Sequence, residues 1–398
     1  MEIVQPEKVG LSSRRLQRMS QTMQQYVDQQ AFAGIITLVA RKGQVAHLEA
    51  FGWQELETNR PMRLDTIFRI YSMTKPVTSA AVMMLCEEGR LRLSDPVSRF
   101  ISEFKDARVM VARGGCDYDL VPAKREITIQ DLLTHSGGLS YGSDPQSALD
   151  DLYRKTLEHM DKQVEPVLEQ RMTAFAQARL PLAFQPGTGF RYSVSTDILG
   201  YIVQKVSGQL FEDFLLERIF QPLGMVDTAF YVPSEKAHRL AAVYGPAEKG
   251  GIQAIEPSQG SRYLQPTRNP SGGGGLVSTI SDYFRFGQMM LNAGELDGIR
   301  LLGRKTVAWM LQNRLPQGVY PFDEAWNGMG LGGSVMINPG VSPEPGSVGK
   351  YGWSGAANTN WWMDPSEELQ GILMLQYMPA FTVPITNDFA MLAYQALE

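Results

Sequence analysis

Cysteine and histidine are scarce in this chain of 398 residues, numbering two and four. Two cysteines, Cys86 and Cys116, can pair at most once, so no disulfide framework holds the fold. Cys86 sits in an apolar helical run and reads as a buried free thiol. The histidines, His47, His135, His159 and His238, are scattered. With no H-E-x-x-H, no paired C-x-x-C and no Walker loop, neither a metal nor a nucleotide cofactor is expected. The net charge of −5, from 37 basic and 42 acidic residues, gives neither the basic footprint of a nucleic-acid binder nor an acidic solvating tail. No apolar run reaches the roughly 18 residues of a membrane span. Met1 to Pro6 lacks both the basic start and the apolar stretch of a signal peptide, so the expected address is the cytoplasm. Neither nucleic acid nor membrane is an expected partner, and oligomeric state is not written in the sequence.

What is present belongs to an ordinary globular protein: 43% hydrophobic, 20% charged and 10% aromatic residues. The length favours one large composite domain or two packed together. Leu16, Met19, Met23 and Tyr26 recur at helical spacing behind Ser12 and Ser13, predicting a helix from Leu11 to about Gln29. A hairpin follows, Gly34 to Arg41 and Gln44 to Phe51, turning at Lys42-Gly43. Thr66 to Tyr71 reads as a strand, and the unbroken apolar run Val77 to Cys86 as a buried helix ending at Gly89. The middle is mainly helical: Ile129 to Thr134, Glu165 to Ala178, Ile198 to Val206, Phe211 to Phe220 and Ser281 to Leu291. Strand signals return at Leu331 to Ile337, Lys350 to Trp353, Asn358 to Trp362 and Leu369 to Tyr377, before a last helix near Asp388 to Ala396. This order predicts an α+β fold, an antiparallel sheet built from both chain ends and flanked by helices, with a mainly helical domain inserted. The expected division is 1–80 with 315–398 for the sheet domain and 81–314 for the helical one, with the active site between them.

Chemistry is densest at Ser72-Met73-Thr74-Lys75, where a predicted strand meets the buried helix. A spacing of three puts Ser72 and Lys75 on one helical face. A serine hydroxyl needs a base to take its proton, and a lysine serves if an apolar setting lowers its pKa. Pro76 is tolerated only in a first turn, which puts Ser72 at the helix start, where a backbone N–H can face an oxyanion. The bland alternative is a helix cap. Pattern alone does not select this serine: Ser102-Glu103-Phe104-Lys105 and Ser347-Val348-Gly349-Lys350 match too, but neither precedes an apolar helix.

A rival serine lies in Gly138-Leu139-Ser140-Tyr141-Gly142, which fits the nucleophile-elbow pattern G-x-S-x-G. A helix-like segment precedes it where an elbow needs a strand, and no histidine occurs in the last 160 residues; a surface turn is the expectation. Gly328 to Gly333 fits G-x-G-x-x-G, but a strand follows where a phosphate site needs a helix N-terminus, so a tight turn is expected. Gly272 to Gly275 demands a backbone reason, a close approach to a ligand or to another segment.

Around Ser72-Met-Thr-Lys75, the ordered set Asp95-Pro96-Val97, Leu132-Leu-Thr-His-Ser-Gly-Gly138, Pro186-Gly-Thr-Gly-Phe-Arg-Tyr192-Ser193, Pro222-Leu-Gly-Met225, Gly273-Gly-Gly-Leu-Val-Ser-Thr279 and Tyr351-Gly-Trp-Ser-Gly355 resembles the serine β-lactamase and penicillin-binding-protein superfamily. Specifically, it resembles the class C-like branch that includes the family VIII carboxylesterases. The resemblance implies Ser72 as the acylated nucleophile, Lys75 as its base partner and Tyr192 as the phenol that shares proton transfer and serves the leaving group. It implies an oxyanion hole at the backbone N–H groups of Ser72 and Ala356. Trp353-Ser354-Gly355 aligns with the family's third element on the strand lining the site.

Two departures bear on substrate. Trp353 stands where β-lactamases and transpeptidases carry a cation, and Val194 stands where the β-lactamase pattern has Asn. Both replace polar recognition by apolar surface, implying poor β-lactam turnover and preference for small neutral or partly apolar esters. Trp326, Trp361 and Trp362 either add aromatic wall or pack the core. The expected function is a serine carboxylesterase working through an acyl-enzyme on Ser72. Acyl transfer to a small-molecule alcohol is the nearest alternative, with weak β-lactamase or peptidase activity and a catalytically silent binding or scaffold protein beyond it.

Overall fold

The computed structural model describes residues 1–114, 117–161 and 167–398; Cys116 and the first two residues of the helix expected from Glu165 lie outside them. Ser13–Asp28 forms helix α1 (N-cap Ser12), its buried face carrying Leu16, Met19 and Met23. The hairpin of β1 (Gly34–Arg41) and β2 (Gln44–Glu55) follows. Lys42 and Gly43, at φ 53° and 75°, give the left-handed pair that a two-residue turn between twisted strands requires. With the short β3 (Arg60–Pro61), these strands make one end of an eight-stranded sheet. The chain's last quarter supplies the rest: β4 (Asn327–Met329), β5 (Ser334–Met336), β6 (Tyr351–Ser354), β7 (Asn360–Asp364) and β8 (Leu369–Met374). The order is β4-β5-β6-β7-β8-β1-β2-β3, antiparallel throughout. The two chain ends join where β1 pairs β8, Ile36 opposite Met374.

Both faces of the sheet are covered, so its central strands are apolar at nearly every position. Ile36, Leu38 and Ala40 enter one core with Trp361 and Met363, while Ile35 and Val39 enter another with Trp362 and Leu373. Helix α1 and the C-terminal helix α5 (Ile385–Tyr394) cover the second face. On the first lie α2 (Thr74–Glu87) and α4 (Ile280–Leu291). Between them in sequence, α3 (Ser195–Ser207) packs against α2. Burial on all sides explains why α2 shows a nearly uninterrupted apolar run rather than an amphipathic stripe.

Several expectations are corrected. The strand expected over Thr66 to Tyr71 shrinks to Phe68–Arg69, pairing with Val277–Ser278, and Tyr71–Met73 already turns as a 3-10 helix. The Phe211 to Phe220 helix is α only to Leu215, then widens into a π turn over Leu216–Phe220. The last helix starts at Ile385 and ends at Tyr394. Cys86 is free but only half-buried, and burial pushes its thiol up to about 12.

Candidate active site

Ser72 is held from both sides of the chain. The Arg69 backbone donates its N–H to Gln376 Oε1 (3.1 Å) and accepts from Gln376 Nε2 (3.0 Å), fixing the strand that leads to the serine. Tyr71 then takes a left-handed φ of 42°, an uncommon conformation for a residue with a Cβ. Tyr283 donates to the Met73 carbonyl (2.7 Å), and Thr74 Oγ1 accepts the Leu276 N–H (3.2 Å), so the first turn of α2 is anchored as well.

Around Ser72 Oγ converge the two groups anticipated from the sequence: Lys75 Nζ donates to it at 3.0 Å and Tyr192 Oη at 2.7 Å. Lys75 is buried; its Nζ also donates to the Gly273 carbonyl (2.7 Å) and lies 4.5 Å from the Tyr192 ring centre. Among the described residues no carboxylate pairs with it. Trp353 Nε1 donates to Tyr192 Oη at 3.4 Å. Serine, amine and phenol thus form one connected proton network, the arrangement an activated nucleophile requires.

Three residues support this network: Gly273, whose run the sequence marks without a role, and Asp197 and His135, to which it assigns none. Gly273, in the unexplained glycine run, presents its carbonyl to Lys75 because the run packs on α3: a Cβ there would lie 2.5 Å from Asp197 Oδ2 and 2.8 Å from Tyr141 Oη. Asp197 fixes the run by accepting from Ser271 Oγ (2.5 Å) and Gly273 N–H (3.1 Å). His135 packs on Tyr192 (ring centres 4.9 Å apart), its Nδ1 3.2 Å from Ser193 Oγ, which in turn meets Ser195 Oγ at 2.7 Å. Burial, and then the Lys75 charge, hold the His135 imidazole well below its ordinary pKa. The clue to the first of these supports lay in the glycine run itself.

Trp353 and Ser354 end β6. At Gly355 a Cβ would collide with Thr359 Oγ1 and lie 2.5 Å from the Ile70 carbonyl, so glycine lets this strand end touch the segment carrying Ser72. Ala356 follows, exposed. Ser72 and Ala356 border two cavities at once. One, of about 560 Å³, holds Tyr192, Trp353, Ser354, Gly355, Phe322 and Trp326; the other, of about 660 Å³, holds Val194, Tyr141, Met172, Phe175 and Arg262. Val194 therefore stands on the opposite side of the nucleophile from Trp353. Trp361 and Trp362 edge the first cavity while being buried in the two cores.

The rival patterns go elsewhere. Ser140 is buried rather than in a surface turn; it donates to Asp150 Oδ1 (2.6 Å), which also receives Arg191 (2.6 Å). Its Oγ further accepts Arg191 Nε (3.2 Å) and the Gly142 N–H (3.1 Å), so it ties a loop together, and the carboxylate it meets is already ion-paired with Arg191. Gly328 to Gly333 turns the chain between β4 and β5. Lys350 pairs with Glu344 at 2.7 Å, and Ser102 opens a 3-10 turn. Among the described residues no cluster of three His, Cys, Asp or Glu could hold a metal, and no helix is long and apolar enough to cross a membrane.

A family model described as Beta-lactamase matches residues 19–395. Protein Rv1367c of Mycobacterium tuberculosis (strain ATCC 25618 / H37Rv) is 34% identical over 371 residues, covering 91% of this chain and 90% of its own. Esterase EstB of Burkholderia gladioli is 29% identical over 383 residues, covering 90% and 89%. The solved structure of EstCE1, described as a hydrolase with promiscuous acyltransferase activity, superposes with a TM-score of 0.78 at 26% identity, over 96% of this chain and 98% of that one.

Proposed function

The chain belongs to the beta-lactamase family, as a serine hydrolase of that fold, and on this premise we propose that it is a carboxylesterase acting through an acyl-enzyme on Ser72. The observation that carries the reading is the Ser72 hydroxyl bonded to both Lys75 Nζ and Tyr192 Oη where two cavities meet. Ser72 Oγ attacks the ester carbonyl and its proton passes into the Lys75–Tyr192 pair; the C–O bond to the alcohol breaks, and Tyr192 returns that proton to the leaving oxygen. Water then enters by the same path in reverse, giving the acid and free Ser72. The backbone N–H groups of Ser72 and Ala356 are assigned to the tetrahedral oxyanion. Tyr192 borders only the first cavity and Val194 only the second, so the leaving alcohol is assigned to the first and the acyl chain to the second. Trp353, Ser354 and Gly355 line the alcohol side.

The same reading divides the chain into 1–80 with 315–398 and 81–314, the site lying at their seam. Trp353, in place of a cation, supports neutral linkages over β-lactams. Acyl transfer is the second reading, favoured by the likeness to EstCE1 and by an alcohol cavity that an acceptor can re-enter before water. Turnover of short p-nitrophenyl esters tests the proposal: Ser72→Ala abolishes it, Ser140→Ala keeps it if folded, and full activity in Ser72→Ala refutes it. Product analysis with added alcohol separates transfer from hydrolysis.

A further inference from the structure

The alcohol-side cavity has an aromatic wall and a surplus of negative charge. Phe322, Tyr192 and Trp353 form one cluster, with ring centres 6.0 Å (Phe322–Tyr192), 5.6 Å (Tyr192–Trp353) and 6.4 Å (Phe322–Trp353) apart. Trp326 and the exposed Phe381 also line it. Two carboxylates, Glu324 and Glu344, also line it, against one cation, Lys350. Lys350 is already engaged: its Nζ is 2.7 Å from Glu344 Oε1 and 3.2 Å from the Pro345 carbonyl, and it sits 4.8 Å and 5.2 Å from the Trp362 and Tyr394 ring centres. Glu324 has no ion-pair partner among the described residues; its one side-chain contact is Asn327 Nδ2 at 3.4 Å. Burial and the nearby Glu344 raise its pKa, the response of a carboxylate short of positive charge.

Aromatic faces beside an uncompensated carboxylate favour a weakly hydrated cation, because the ring quadrupole and the carboxylate act with the same sign. One residue separates Phe322 from Glu324, and both line the cavity that Tyr192 and Trp353 also border. Resting on the ester-hydrolase reading, we propose that this cavity selects esters of amino alcohols, the leaving group carrying an ammonium that packs on Phe322 and Trp353 and faces Glu324. The bond changes are those of the ester reaction above, and the ammonium keeps its charge throughout.

The test compares acetate esters of choline, of 2-(dimethylamino)ethanol and of 3,3-dimethylbutanol; the last is a neutral replica of choline in shape. At pH 7 the cationic esters are expected to exceed the neutral one roughly tenfold in kcat/KM. That ratio should fall toward one in Glu324→Gln and invert in Glu324→Lys. Equal kcat/KM for choline and 3,3-dimethylbutyl acetates in the unaltered protein, or a ratio unchanged by folded Glu324→Gln, overturns the inference. Should none of the three acetates, nor p-nitrophenyl acetate, be hydrolysed or acylate Ser72, the ester-hydrolase reading itself fails. Neutral turnover without cationic preference removes only the ammonium site.

Discussion

At Ser72 three hydrogen bonds decide what the side chains can do. Lys75 Nζ bridges Ser72 Oγ and the Gly273 carbonyl, so removing the amine leaves the hydroxyl only its contact with Tyr192. Lys75→Ala and Tyr192→Phe are each expected to lower kcat by at least about 100-fold, the scale of a positioned acid–base group. Steady-state kinetics on a short ester check this, and a wild-type rate in either variant removes that residue from the mechanism. The Ser72–Lys75 contact was legible because the spacing is local and the apolar run after Lys75 sets this match apart from the other two. Tyr192 was legible only through the family resemblance, since it reaches Ser72 across 120 residues of chain. The His135–Ser193–Ser195 chain and the pairing of Ser140 with Asp150 were not legible. Such contacts depend on which loops meet in space, and no short-range pattern encodes that.

Among the elements, close approach does much of the positioning. The glycine run at 272–275 lets a backbone carbonyl reach Lys75, and a methyl group at Gly273 would crowd both Asp197 and Tyr141. Gly273→Ala is expected to cut kcat at least about tenfold by shifting the carbonyl that holds the amine, and chemistry measured beside thermal melting separates this from unfolding. Helix α4 crosses the sheet equally tightly: a Cβ at Gly287 would lie 2.5 Å from Trp361 Nε1 and collide with Gln370 Oε1. Gly287→Ala should therefore cost about 1–3 kcal/mol by overpacking, read from urea denaturation; an unchanged midpoint would show that the layers can part freely. The β1–β2 hairpin, α1 and α2 were legible because alternation, helical spacing or an unbroken apolar run marks each. The hairpins Arg108–Gly114 with Asp117–Pro122 and Val243–Pro246 with Ile252–Glu256, and the helix Ala148–Asp161, were not. In the two hairpins apolar residues stand on the exposed side as well, at Val111, Tyr118, Leu120 and Ile255, which blurs the two-residue alternation; the helix does carry Leu149, Tyr153 and Met160 at helical spacing, a signal the sequence reading passed over.

Across the whole molecule, titration and topology are coupled to stability. His135 and His47 are both buried, and burial, first of all, depresses their folded pKa values; Glu49 partly opposes this at His47. Above about pH 6.5 both imidazoles are neutral in folded and unfolded chains alike, so the full stability is present. As pH falls below that value the unfolded chain binds protons that the fold refuses, and stability declines. Glu55 adds to this at lower pH: burial pushes it up, but hydrogen bonds from Thr58, Ser258 and Arg60 bring it down to about 2. Its contribution, complete above about pH 4.5, is lost as pH falls toward 2. Urea unfolding at pH 7.5, 6.0 and 5.0 should give progressively lower stability, and a flat profile would contradict buried neutral imidazoles. The two-ended sheet was legible because strand signals occur only near both termini, with helical patterns between. Which helices cover which face was not, since α4 lies within the 81–314 span yet packs on β7 and β8 through Tyr283, Phe286 and Trp361.

The central claim is that Ser72, activated by Lys75 and Tyr192, takes an acyl group from an ester. Rapid acid quench during turnover of a slowly deacylating p-nitrophenyl ester, followed by peptide-mapped mass spectrometry, addresses it directly. The account predicts the acyl mass on Ser72 and none in Ser72→Ala. An acyl group on Ser140 or any other residue, or sustained ester turnover in Ser72→Ala, would contradict it.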